Sequence, residues 1–224
     1  MRGTARLAAL VVVPVAAAVV AMVVLAPRPD RRAPAEPASR FAGVALAAPV
    51  PKPQFVLTDT GGRPFDFARE TAGALTLLFF GYTQCPDICP VHLAQIASVL
   101  HNHPDVRGVK VVFVTVDPER DSPQALRAWL DNFDRSFVGL TGTPEQLAAA
   151  QHAAGAPTAV REPRADGGYT VGHAAQVFAY APDGFGYTVY PFGTRQSQWA
   201  HDLPLLAAIG ARPDLPNPAV TGTP

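Results

Sequence analysis

Apolar residues in this chain gather into short uninterrupted runs, each followed by a turn signal and then by a longer stretch of helical character. Leu75 to Phe80 is such a run; it ends at Gly81 and leads through a turn into Val91 to His101. That pattern predicts a buried strand feeding the first turn of a helix. Val109 to Val116 is a second apolar, β-branched run, and strand, helix and strand together make a right-handed parallel crossover. Ahead of it, Phe55 to Asp59 and Pro64 to Phe67 flank Gly61-Gly62, which predicts a hairpin that opens the fold. Behind it, Ser122-Pro123 supplies an N-cap and a first-turn proline for a helix over Gln124 to Phe133. Phe137 to Leu140 is a short strand, and Thr143-Pro144-Glu145 starts a helix to about Ala154. Gly155 to Gly172 has the glycines and prolines of a loop or ragged hairpin. Ala175 to Tyr180 and Phe185 to Tyr190 form a hairpin across Ala181-Pro182-Asp183-Gly184, and Gln196 to Ile209 is the closing helix.

These elements add up to an α/β fold, a thioredoxin-like α/β sandwich with an added hairpin, occupying residues 54–211. Such sheets carry their chemistry outside the carboxyl ends of the strands. The ends of the chain read differently. After a short segment at residues 1–6, Leu7 to Ala26 is twenty residues without a charge, the length of a bilayer core, which predicts a transmembrane anchor or, as the alternative, a signal peptide. Residues 27–53 are rich in Pro and Ala and read as an extended linker; residues 212–224 hold four prolines and read as a disordered tail.

Lys plus Arg and Asp plus Glu both total 18. Six of the arginines lie in the first forty residues against only Asp30 and Glu36, so the remainder is net negative and carries no basic stripe. Nucleic acid is therefore excluded as a partner class.

The chemistry sits at the end of the first central strand, where the chain places both of its cysteines, Cys85 and Cys89. Four positions apart, they can face one side of a first helical turn, where the helix dipole favours a thiolate, so both sulfurs are expected to be reactive. The pair suits a soft ion such as Cu(I), given a third ligand, and equally permits a disulfide, either redox-active or merely structural. A structural bridge closing so short a loop would remove little unfolded-state entropy. Closed zinc sites take four protein ligands, and no second cysteine pair exists. The only methionines, Met1 and Met22, precede the domain, so a thioether ligand is not on offer.

Six histidines compete for the third position. His101 and His103 follow the first helix, His152 and His201 lie in helical stretches, and His92 fits a polar position on an exposed helix face. His173 is the strongest candidate, because it ends the Gly-rich stretch Gly167 to Gly172, just before a strand, where a loop can carry it over the cysteines.

Taken together, Phe79-Phe80-Gly81-Tyr82-Thr83-Gln84-Cys85-Pro86-Asp87-Ile88-Cys89-Pro90, Val114 to Pro123 with Asp117-Pro118-Glu119-Arg120-Asp121, and His173 before Phe178 to Gly184 resemble the Sco/SenC family of copper-binding, thioredoxin-like proteins. The resemblance covers roughly residues 50–210. It implies a copper chaperone of the bacterial inner membrane, its soluble domain on the periplasmic side, that helps assemble the dinuclear copper centre of cytochrome c oxidase. By the same resemblance Cys85, Cys89 and His173 are the copper ligands, the copper-bearing oxidase subunit is the acceptor, and other copper chaperones are partners. Asp117 lies near the site, bearing on partner contact or simply closing a strand-end turn. Gly172 stands where the family often has Asp, and Gln84 where His or Arg is common. A thiol–disulfide reductase that keeps the oxidase's cysteines reduced, with Cys85 and Cys89 as its redox pair, is the alternative. A copper-sensing or docking module without turnover is a third reading.

Overall fold

The computed structural model describes residues 40–210 except 104, 105, 107 and 166. The anticipated membrane span at 7–26, the segment before it and the tail at 212–224 lie outside the described residues. Among the described residues, no helix is long and apolar enough to cross a membrane.

Ten strands and five helices are described: β1 (Val44–Pro51), β2 (Val56–Asp59), β3 (Pro64–Asp66), α1 (Phe67–Glu70), β4 (Thr76–Gly81), α2 (Ile88–Asn102), β5 (Lys110–Thr115), α3 (Pro123–Leu130), β6 (Val138–Thr141), α4 (Pro144–Ala153), β7 (Val160–Pro163), β8 (Tyr169–Gly172), β9 (Val177–Tyr180), β10 (Phe185–Tyr190) and α5 (Gln196–Ala207). Eight strands form one sheet in the order β1-β10-β9-β4-β5-β6-β2-β3, while β7 and β8 pair apart from it. β4 and β5 run parallel, in register from Thr76↔Lys110 to Gly81↔Thr115, as the crossover predicts.

β4 is buried along its whole length because successive residues serve two cores. Leu77 and Phe79 face a cluster with Leu93, Ile96 and Val99 of α2, Leu126 and Leu130 of α3, and Trp199, Leu203 and Leu206 of α5. Leu78 and Phe80 face Phe67 of α1 and Leu147 and Ala150 of α4. A continuous apolar run is what two buried faces require, and the sandwich follows from it.

Three expectations need correction. The linker read over 27–53 ends earlier, since Val44–Pro51 is an edge strand antiparallel to β10, and β1 rather than the β2–β3 hairpin opens the fold. Its side chains are almost all exposed, so no apolar periodicity marks it. Pro49 and Pro51 are tolerated because an edge strand leaves half its N–H groups unpaired. Lys52 follows and is buried, its ammonium bonding Thr71 O at 2.8 Å, Thr76 Oγ1 at 3.1 Å and Ala74 O at 3.4 Å. Next, α2 starts at Ile88, capped by Asp87 Oδ1 accepting from Ile88 N–H at 2.7 Å, which leaves Cys85 in the preceding turn rather than within the helix. Finally, His92 is 1% exposed and does not lie on a solvent face.

The segment entering β1 is fastened by one buried carboxylate. Asp202 on α5 accepts Ala42 N–H at 2.8 Å, Gly43 N–H at 2.9 Å, Tyr190 O–H at 2.9 Å and His201 Nδ1 at 2.6 Å. Truncating it strands several donors in a site where Asp202 is fully buried. Asp202→Ala is therefore expected to lower the unfolding free energy by about 3 kcal/mol in urea titrations. A loss below about 1 kcal/mol would contradict this account of the clasp.

Candidate metal centre

The site begins where β4 runs out. Gly81 ends the strand, and a Cβ there would meet Cys89 Sγ at 2.6 Å and Phe113 at 2.8 Å, so only glycine lets the helix approach this closely. The turn after it is held by Asp121, a buried carboxylate in the loop after β5. It accepts Thr83 N–H at 3.0 Å, Thr83 O–H at 2.5 Å and Thr115 O–H at 2.6 Å. Those bonds tie the cysteine-bearing turn to the end of the neighbouring parallel strand.

Cys85, Cys89 and His173 come together there, with their ligand atoms all within 4.8 Å of one another. His173 Nε2 lies 3.9 Å from Cys85 Sγ and 3.7 Å from Cys89 Sγ. An ion held in a trigonal plane by bonds of roughly 2.0–2.3 Å sets its ligands roughly 3.5–4.0 Å apart, so little movement separates this arrangement from a filled site of two sulfurs and one nitrogen. Neither cysteine is in a disulfide.

The imidazole is aimed by its other nitrogen. His173 Nδ1 lies 3.0 Å from Ala174 O, a carbonyl that can only accept, so Nδ1 donates there and Nε2 is the nitrogen turned toward the sulfurs, where a metal would meet it. Gly172 thus needs no carboxylate in place of its hydrogen, and a side chain there would meet Glu162 Oε1 at 3.1 Å. Tyr82 and Phe79 wall the ring, with centroids 5.6 and 6.1 Å away.

The two sulfurs are not equivalent: Cys89 is fully buried and Cys85 retains a little exposure. The Cys89 thiol donates to Cys85, and this, with help from His173 and the backbone N–H groups of Cys89 and Asp87, lowers the Cys85 pKa to about 4 against the cost of its burial. Cys89 is raised well above an ordinary thiol, chiefly by burial and then by its neighbour Cys85. One thiolate and one thiol therefore share the site.

Of the remaining histidines, His92 alone is close, and it points elsewhere: its Nε2 lies 3.1 Å from Ala175 O, and its ring packs against Phe79 and Trp199. His101, His152 and His201 are exposed. Asp117 is buried beside Arg120 and Tyr169 and is not a ligand. Asp121 and Tyr82 stood within the motifs quoted above without a role of their own, and Tyr169 was not singled out. The signal for Asp121 was available, since it follows a buried strand whose carboxyl end lies beside the cysteines. Tyr169 had none, because its partners are 49 and 52 positions away.

A thioredoxin-like sheet with two cysteines and a histidine clustered at the carboxyl end of its central strand defines a class of thiol-based metal or redox proteins. Within that class, the family model described as SCO1/SenC matches residues 46–208. The chain belongs to the SCO1/SenC family. It is 34% identical over 158 residues to the human mitochondrial protein SCO2 homolog, covering 69% of this chain and 59% of the relative. It spans about half to two thirds of the length of the curated relatives it matches. Bradyrhizobium japonicum ScoI, solved with copper bound, shares 34% identity and a TM-score of 0.62 over 70% of this chain and 99% of that one. Apo Sco1 from Thermus thermophilus shares 32% identity and a TM-score of 0.65 over 74% of this chain and 96% of that one.

The sulfur asymmetry has a direct readout. A group with a lowered pKa keeps its charge until the pH falls through the lowered value. Alkylation of Cys85 is therefore expected to stay near its plateau from neutral pH down to about pH 5 and to fall only near pH 4. Cys89→Ser replaces the principal donor and moves the midpoint. A wild-type midpoint near 8.5, the value of an ordinary thiol, would overturn the assignment.

Proposed function

We propose that this protein is a copper chaperone that holds copper between Cys85, Cys89 and His173 and hands it to the copper-bearing subunit of cytochrome c oxidase. The observation that carries the reading is the convergence of two sulfurs and an oriented imidazole at one point. Copper is the cargo of this site. Soft thiolates select Cu(I), and a three-ligand set leaves room for an acceptor's ligand to enter before a chaperone ligand leaves. Cys89, once its proton is displaced by the metal, and Cys85 supply the charge; His173, neutral and exchangeable, is the natural first ligand to depart. The uncharged stretch at 7–26 supports a membrane tether, with the domain on the periplasmic side of the bacterial inner membrane and other copper chaperones as donors.

A second reading, thiol–disulfide reductase, is favoured by the same asymmetry of the sulfurs. Here the Cys85 thiolate attacks a partner disulfide and releases one partner sulfur as a thiol. Cys89 then loses its proton and displaces the second sulfur, leaving a Cys85–Cys89 disulfide and a reduced partner. No step uses His173 as a ligand.

The two are separated by titrating Cu(I) into the reduced full chain, anaerobically and in mild detergent, against a chromogenic chelator. One copper per chain is expected, with affinity lowered at least about tenfold in His173→Ala. Absence of stoichiometric copper, or binding indifferent to His173, would shift the assignment to the reductase, whose disulfide-reducing rate His173→Ala leaves largely unchanged.

A further inference from the structure

His173 is the one ligand outside the β4–α2 unit, and it follows directly on β8, the strand of a hairpin that shares no ladder with the main sheet. A lone two-stranded hairpin is at best marginally stable in water. Something other than strand pairing must therefore fix where His173 stands.

Val171 is buried in the core with the cysteines, and the polar contacts that hold the hairpin cluster on Tyr169, at the start of β8. Its hydroxyl donates to Asp117 Oδ1 at 2.9 Å, and its carbonyl accepts Arg120 Nη1 at 3.0 Å. Asp117 is fully buried and also takes Arg120 Nε, so both of Tyr169's partners are themselves held. The Arg120 guanidinium lies over the Tyr169 ring at 3.8 Å and over Tyr82 at 5.5 Å, and Tyr82 stands edge-on to His173. Arg161 on β7 covers the same Tyr169 ring at 4.9 Å, on the diagonal of the hairpin register, and is pinned by Glu119 Oε1 at 2.8 Å. Downstream, Ala174 is buried and Ala175 O is engaged by His92.

Resting on the copper reading above, we propose that Tyr169, clamped by Asp117, Arg120 and Arg161, is the positioning residue for the His173 ligand. The clamp joins the hairpin to the end of β5, four residues upstream of the imidazole, and shortens the arc the loop can sample. Part of the copper affinity therefore resides in a tyrosine that touches neither the metal nor its ligands. Losing the clamp leaves the cysteine pair intact but lets His173 drift.

A double-mutant cycle on the full chain tests this, with Cu(I) affinity measured in the wild type, Tyr169→Leu, His173→Ala and the combined variant. Tyr169→Leu is expected to weaken copper about tenfold in the wild-type background and to have almost no effect once His173 is gone. The Cys85–Cys89 reduction potential stays at the wild-type value. An unchanged affinity in Tyr169→Leu overturns the proposal; so does an equal loss in both backgrounds, since that places the effect on the fold or the cysteines. Thermal melting accompanies each variant, and if Tyr169→Leu does not fold, Tyr169→Phe, which loses only the bond to Asp117, enters the same cycle with an expected loss of about threefold. A wild type that takes up no copper sinks the chaperone reading itself, whereas a wild type that depends on His173 but not on Tyr169 sinks only the clamp.

Discussion

β4 is buried on both faces from Thr76 to Gly81 and is locked in parallel register with β5, so the point at which the chain leaves the sheet is fixed by two cores at once. Everything at the candidate metal centre depends on that exit. Gly81 lets Cys89 come in close, the Asp121 carboxylate ties the following turn to the end of β5, and α2 starts where Asp87 can cap it. The cysteines are held less by their own contacts than by the apolar run that precedes them. Interior packing tolerates little displacement, which is why a strand of six residues can hold two sulfurs to a given spacing.

Unequal burial then sets the two sulfurs apart. Cys89, sealed under the sheet end, is kept a thiol by its burial and by the neighbouring Cys85, which together outweigh the backbone N–H of Tyr82, and as a thiol it becomes the donor that makes Cys85 acidic. The pair stores one negative charge rather than two, which spares the core an uncompensated second anion. This state suits both proposed activities. A metal ion displaces the remaining proton, and a partner disulfide meets a ready nucleophile. Redox and copper chemistry share a resting state and part company only at His173.

How much of this could be read from the sequence follows from the range of the interactions. β4, β5 and the β9–β10 hairpin were legible because their patterns are local: continuous apolar runs and an Ala-Pro-Asp-Gly turn. Cys85 and Cys89 were legible from their place after a buried strand, and His173 from its place in a glycine-rich stretch before another. β1 was not, since an exposed edge strand with two prolines has no apolar rhythm and owes its order to β10, far along the chain. His92 was misjudged for a related reason: its burial comes from Trp199 and Ala175, neither of which its own helix could announce. The loss of helical geometry at Cys85 was set by the Asp87 cap, a choice between neighbouring polar residues that spacing alone does not decide.

The central claim is that copper sits among two sulfurs and one nitrogen. The most direct measurement is X-ray absorption on the reduced full chain loaded with one Cu(I). The account predicts two sulfur scatterers at about 2.3 Å and one nitrogen at about 2.0 Å from the metal, the nitrogen disappearing in His173→Ala. A copper bound by sulfur alone, with the same spectrum in the wild type and in His173→Ala, would contradict it.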